Sequence, residues 1–258
     1  MLNKRKNRQM SLSEIKKMET VCRLAAEMLQ YAKTLVVPGV STKEISDSIH
    51  ERTLSLGCES APLGYHGFPE AVCTSVNDLV CHGVPRADEI LLPGDCINID
   101  VTLKKDGFFG DTSATFFVGE VSPKAKKIAE AAEKGMYVGI EQVRAGNRTE
   151  DIGYETNKLV TGMGFHTVKA IGGHGIGDQF HKDPFVPAYG KKGKGELLIE
   201  NTCLTVEPMV NETSEDFIEF KIPNSSICYY RTVDGTLSAQ FEHTILVKKN
   251  GYEILTAW

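Results

Sequence analysis

Leu91-Leu-Pro-Gly-Asp-Cys-Ile-Asn-Ile-Asp100 has a counterpart in Leu198-Ile-Glu-Asn-Thr-Cys-Leu-Thr-Val-Glu207, one ungapped offset of 107 residues further on. Leu91 falls on Leu198, Cys96 on Cys203 and Asp100 on Glu207. Both stretches alternate as strands do, with Ile97, Ile99 and Val101 on one face and Cys96, Asn98 and Asp100 on the other. If the aliphatic row packs on helices, a carboxylate faces inward at the same point of each copy. The offset also sets Gly39 on Gly146, Thr42 on Thr149, Ile45 on Ile152 and Gly57 on Gly164. A repeat of this kind marks equivalent positions before any chemistry is invoked. It predicts one α/β unit of two pseudo-symmetric halves, roughly residues 11–118 and 119–248, with a site at their junction.

Helix signals recur in both copies. Ser11 with Glu14 reads as a capping box, followed by Ile15, Met18, Cys22, Ala25, Met28, Ala32 and Leu35 at helical spacing up to Pro38-Gly39. Ser41 with Glu44 opens a second helix ending near Gly57. Ser122-Pro123 opens the helix of the second half, through Ile128, Ala132, Met136, Ile140 and Val143 to Gly146, and Thr149 opens its short partner, which ends before Gly162.

Composition narrows the function classes. The 258 residues carry a net charge of −5 with 41% hydrophobic residues, which suits a soluble globular domain and excludes a disordered chain. The most apolar helical stretch, Val21 to Val37, is interrupted by Arg23, Glu27 and Lys33, short of the roughly 20 apolar residues of a membrane span, so no span is expected. Seven cysteines without a C-x-x-C pair fit a reduced, cytoplasmic setting and argue against a thiolate zinc finger, leaving His, Asp and Glu as metal ligands. Residues 1–10 read as a basic, solvated tail, leaving 11–258 as a single domain.

Chemistry concentrates on carboxylates and imidazoles. Lys104-Lys-Asp-Gly107 is a turn signal between strand-like runs. A turn centred between Lys105 and Asp106 puts Asp100 directly across from Asp111, so close that a proton or a cation must lie between them. Glu207 is the repeat equivalent of Asp100, and Glu242 lies in a further alternating strand, Ser238 to Val247. His174 sits in Ile171-Gly-Gly-His-Gly-Ile-Gly177, where flanking glycines let an imidazole approach a crowded centre. His181 and His82 are further candidates, whereas His50, His66, His166 and His243 read as structural or surface residues. Several carboxylates with one imidazole suit divalent Mn, Fe, Co or Zn, and two such ions with a bridging water make metal-assisted hydrolysis the reaction class.

Six segments in order then carry a resemblance: Tyr65-His-Gly-Phe-Pro69, Val80-Cys-His-Gly-Val-Pro85, Ile99 to Asp111, Gly173-His-Gly-Ile-Gly177 with Phe180-His181, Thr205-Val-Glu-Pro-Met209, and Ser238 to Thr244. The chain resembles the type I methionine aminopeptidases of the pita-bread α/β fold, whose central antiparallel sheet is covered by helices. The resemblance implies two divalent metal ions held by Asp100, Asp111, His174, Glu207 and Glu242. It implies Glu207 as acid/base, His181 at the scissile carbonyl oxygen and His82 at the amide nitrogen. It also implies a methionine cup of Tyr65, Phe68, Cys73, His82 and Phe180, with Thr102 toward the substrate amine. At positions where many bacterial relatives carry a Trp and a Cys, this chain has Cys228 and Pro62, so an altered pocket rim is expected; its only tryptophan is Trp258.

The activity implied is removal of the initiator methionine of nascent polypeptides when the second residue is small, by a cytoplasmic monomer in transient contact with the ribosome. Only 35 positions separate Glu207 from Glu242, too few for the type II helical insertion, and no zinc-finger extension ahead of the domain is expected. Two other readings share the fold. A prolidase or aminopeptidase P usually has an extra N-terminal domain and a His-Glu where His181-Lys182 stands here. A non-catalytic ribosome- or RNA-binding relative lacks the ligands, all of which are present in an acidic body without a broad basic patch, so no specific nucleic acid is expected.

Overall fold

The protein, a computed structural model, is described for residues 8–257. The basic tail up to residue 7 and Trp258 lie outside the described residues. Within residues 8–10, Arg8 pairs with Glu14, and Met10 is buried with its N–H donating to the Asn201 carbonyl at 2.7 Å.

Four helices follow the sequence signals. Helix α1 spans Leu12–Leu35 and α2 spans Thr42–Ser55, each opened by a reciprocal serine–glutamate cap, Ser11 with Glu14 and Ser41 with Glu44. Helix α3 spans Pro123–Ile140 and α4 spans Thr149–Gly162. Helix α3 stops six residues short of Gly146. Gln142 and Val143 donate to carbonyls only three residues back, so the last turn tightens and the chain leaves the helix while Val143 stays in the core. The cap of α4 differs from that of α2: Arg148 stands in place of the serine, and the Asp151 carboxylate accepts its N–H.

The two halves share their hydrogen bonds as well as their sequence pattern. Gly39 donates to Leu91 as Gly146 does to Leu198, Leu91 to Val40 as Leu198 to Asn147, and Thr42 to Glu89 as Thr149 to Glu196. Gly39 and Gly146 hold φ of 90° and 92°, a left-handed conformation that glycine adopts without a steric penalty.

Each half centres on a long antiparallel pair. In the first, Cys96–Lys105 pairs with Phe108–Phe117. Its turn is Asp106-Gly107, with φ of 50° and 80°, as a two-residue type I′ hairpin requires. The register therefore differs by two residues from the sequence expectation. Asp100 faces Ser113 and Thr102 faces Asp111, so the two aspartates share a face as diagonal neighbours rather than standing opposite. In the second pair, Cys203–Val206 runs against His243–Lys248 and Met209–Asn211 against Ser238–Gln240, in one continuous register. The expected single strand from Ser238 is thus two strands, parted where Pro208 has no N–H to donate. Carried through that break, the register sets Glu207 opposite Glu242.

The pairs join side by side through buried polar groups. Glu242 N–H donates to the Ser113 carbonyl, the Thr112 hydroxyl to the Glu242 carbonyl, and the Thr244 hydroxyl to the Asp111 carbonyl. The Asn98 amide and the Thr115 hydroxyl both reach the Gln240 carbonyl. On the other face, Ile97, Ile99, Val101 and Leu103 are buried under α1, as the alternation required. Met136, Ile140, Ile152, Leu204, Val206 and Ile245 form the corresponding core beneath α3 and α4.

Helix α1 lies so close to the sheet that a Cβ on Gly110 would stand 2.8 Å from the Cys22 nitrogen and 2.9 Å from its Cα, backbone atoms that cannot swing aside. Gly110→Ala is expected to lower stability by about 1–3 kcal/mol, or roughly 3–10 °C in Tm. Gly162→Ala, with nothing within 4 Å, is the control expected to leave Tm in place. Equal melting of the two variants in scanning calorimetry would refute this account of the contact.

Candidate active site

One cavity of about 170 Å³ opens at the seam between the halves. It is lined by Tyr65, Phe68, Cys73, His82, Asp100, Thr102, Asp111, His174, Phe180, His181, Glu207 and Glu242, so the candidate metal-ligating, catalytic and methionine-cup residues are brought together here. Asp100, Thr102 and Asp111 come from the first long pair, and Glu207 and Glu242 from either side of the break in the second. His174 enters on the strand Gly173–Ile176. There a Cβ on Gly173 would meet the Thr205 carbonyl at 2.3 Å and one on Gly175 the Asp183 carbonyl at 2.2 Å, so only glycine lets this strand fit between its neighbours.

The acids lie close together, Asp111 and Glu242 buried and Asp100 and Glu207 partly so. His174 Nε2 stands 3.7 Å from Asp111 Oδ2 and 3.5 Å from Glu207 Oε1. Burial raises all four carboxyls, Asp100 to about 7 and Glu207 to about 8; Asp111 and Glu242 lie well above their usual range, pushed further by neighbouring carboxylates. Burial lowers His174 to about 4, and also lowers His82. His181, whose outer edge is open to solvent, is lowered by desolvation and by the nearby imidazoles.

Protein groups hold most of these atoms in place. The Thr102 hydroxyl donates to Asp111 Oδ1 at 2.7 Å and the Thr205 hydroxyl to Glu207 Oε1 at 2.7 Å, while the Gln240 amide reaches Glu207 Oε2 at 3.2 Å. Asp100 Oδ1 and Glu242 Oε1 are buried with no protein partner. Ligating atoms of Asp111, His174 and Glu242 lie within 4.8 Å of one another. Orphaned acceptors beside a cluster of carboxylate oxygens and one imidazole nitrogen fit a hard or borderline divalent cation, which binds the ionised form that burial alone disfavours.

Across 247 residues the chain is 44% identical to methionine aminopeptidase A of Synechocystis, covering 96% of both chains, and it is 40% identical to the Escherichia coli methionine aminopeptidase, covering 94% of this chain and 91% of that one. The crystal structure of methionine aminopeptidase from Rickettsia prowazekii superposes with a TM-score of 0.94 at 40% identity, covering 98% of this chain and 100% of that one. The model of metallopeptidase family M24 matches residues 16–249. The chain belongs to metallopeptidase family M24.

Two features of this M24 metallopeptidase departed from the sequence reading. Cys228 does not line the cavity. The neighbouring Ile227 does, and the Cys228 backbone carbonyl instead accepts from His82 Nδ1 at 3.1 Å. Ile227 reaches the wall because the segment beside it packs on the turn Tyr65–Gly67, where Ser226 N–H and the Ser225 hydroxyl both donate to the His66 carbonyl. Ile171 and Gly172 also line the cavity; they precede His174 in the glycine-rich segment, which was the available signal for them. No local pattern marks Ile227. Pro62 lies on the wall, in keeping with an altered rim. His243 is a satisfied core residue, hydrogen-bonded to Thr256 and Tyr137. Among the described residues no helix is long and apolar enough to cross a membrane, and all seven thiols are free.

Proposed function

We propose that the enzyme removes the N-terminal methionine of nascent polypeptides whose second residue is small. The observation that carries this reading is one cavity lined by four carboxylates and His174, with an uncharged cup of Phe68, Cys73, Phe180 and Ile227 in the same lining. Such a cup, with a thiol and two aromatic rings, suits a flexible thioether. Identity to methionine aminopeptidases over nearly the full chain supports the same substrate.

Asp100, Asp111, His174, Glu207 and Glu242 would hold two divalent ions, drawn from Co, Mn, Fe or Zn. Such ions supply a nucleophilic water near neutral pH and polarise the scissile carbonyl. Glu207, steadied at both oxygens, would serve as the acid/base, its carboxylate placed to accept a proton and to return it to the departing amine. His181 donates to the carbonyl oxygen as negative charge develops on it, and His82 contacts the amide nitrogen. Thr102 has its own proton committed to Asp111, so only its lone pairs are left for the substrate's ammonium group. A monomer acting in the cytoplasm, in passing contact with the ribosome, completes the reading.

The test is initial-rate hydrolysis of Met-Gly-Met-Met, its norleucine and leucine analogues, Gly-Pro and Xaa-Pro-Xaa peptides by chelated enzyme refilled with Mn, Fe or Co. Release of methionine that requires the ion is the expected result. Turnover of the proline peptides alone would assign a prolidase-like activity, and no turnover under any ion would leave a binding module.

A further inference from the structure

We propose that Tyr65 is a positioning residue for His181: its hydroxyl donates to Nδ1 and so fixes the ring proton on Nε2, where it is available to the substrate. The proposal rests on the aminopeptidase reading above. Three imidazoles line the cavity, and the group on Nδ1 sets the polarity of each. His82 Nδ1 faces the Cys228 carbonyl at 3.1 Å and His174 Nδ1 faces the Gly175 carbonyl at 3.0 Å. A carbonyl only accepts, so these two neutral rings carry their proton on Nδ1 and present a lone pair at Nε2.

His181 alone has a hydroxyl partner, the Tyr65 oxygen at 3.0 Å from Nδ1. No other hydrogen bond to the Tyr65 hydroxyl occurs among the described residues, so its proton is free for this one. An imidazole nitrogen is a stronger base than a phenol oxygen, and the phenol therefore donates. Burial raises the Tyr65 pKa, which keeps that proton in place. The ring has little freedom to turn. Tyr65 stacks on it at 5.3 Å and 24°, with Phe180 at 4.2 Å and His174 at 4.1 Å. The cavity thus holds two imidazole acceptors and one imidazole donor, and the donor is the one assigned to the carbonyl oxygen.

Zinc-loaded, full-length enzyme labelled with 15N-histidine decides the matter by long-range 1H–15N NMR. The wild type is expected to show His181 protonated at Nε2, and Tyr65→Phe a mixture of the two tautomers. The same substitution keeps the ring and is expected to lower kcat for Met-Gly-Met-Met about 5- to 10-fold with KM unchanged, the size of one hydrogen bond made in the transition state. In a His181→Ala background it should cost nothing further, since the tyrosine acts through the imidazole. A wild-type ring protonated at Nδ1, or additive losses in the double variant, would overturn the proposal. If the wild type released no methionine, the aminopeptidase reading would fail while the NMR spectrum still decided the tautomer.

Discussion

Glu207→Gln is expected to lower kcat for methionine release by about 10²–10⁴-fold, the usual worth of a positioned acid/base group, while far-UV circular dichroism stays unchanged. The substitution keeps the volume of the side chain but removes its capacity to take a proton. It also sets an amide between the Thr205 hydroxyl and the Gln240 amide, two donors that now satisfy a carboxylate. With its oxygen toward the Gln240 amide, the new side chain offers its NH2 to the Thr205 oxygen, whose hydroxyl must turn away and give up its present bond; with the negative charge also gone, a modest loss of ion affinity accompanies the loss of rate. Calorimetric titration with Mn separates the two effects. A variant that binds the ion and retains more than a tenth of wild-type kcat would remove Glu207 from the proton-transfer role.

The second large effect concerns stability in the absence of the ion. A carboxyl whose folded pKa lies above its unfolded value binds its proton more tightly in the folded state, so its contribution is present at low pH and is lost as pH rises toward the folded value. For Asp100 and Glu207 those values are about 7 and about 8, with Asp111 and Glu242 displaced in the same direction. Imidazoles work oppositely. His174 and His243, lowered to about 4, cost stability as pH falls below their unfolded value of about 6.5. From about pH 4 to 6.5 the two sets offset each other, and between about 6.5 and 8 the carboxyls act alone.

Chelated enzyme is therefore expected to lose about 2–4 kcal/mol over that upper window, at about 1.4 kcal/mol per proton and pH unit, seen as a fall in Tm of roughly 5–15 °C. With Mn or Zn in excess the trend reverses, because the ion binds the ionised carboxylates and gains affinity as protons leave. A flat Tm from pH 6.5 to 8 in chelator would mean that the four acids are already ionised in the empty site.

Much of this architecture is legible in the sequence because the duplication repeats its signals. The caps Ser11–Glu14 and Ser41–Glu44, the alternation through Ile97, Ile99 and Val101, and the equivalence of Asp100 with Glu207 each follow from short-range chemistry. Where the reading slipped, the deciding interaction was nearby but finer, or else distant. The hairpin register hung on whether Lys105 or Gly107 joined Asp106 in the turn, a choice made by the left-handed conformation of both turn residues, which Gly107 adopts freely and Lys105 does not favour. The break at Glu207-Pro208 was visible in the proline itself, yet the partner strand gives no comparable signal at Phe241-Glu242. Ile227 reaches the cavity because Ser225 and Ser226 beside it bind the His66 carbonyl, and nothing in that neighbourhood encodes a partner so far along the chain. The same holds for the hydroxyl of Tyr65 against His181.

The seam of threonine, asparagine and glutamine bonds has a consequence for the life of the protein. Asp100 and Asp111 travel with one hairpin and His174, Glu207 and Glu242 with the other half, so neither half owns a binding site. Parting the halves by breaking the Ser113–Glu242 and Asp111–Thr244 contacts would disperse the proposed ligand set without either core having to melt. Ion release and the opening of the seam would then be the same event, and a molecule that had shed its ions would also be the one exposed to proteolysis. On this ligand set, supply of the ion would set the lifetime of the protein as well as its rate of turnover.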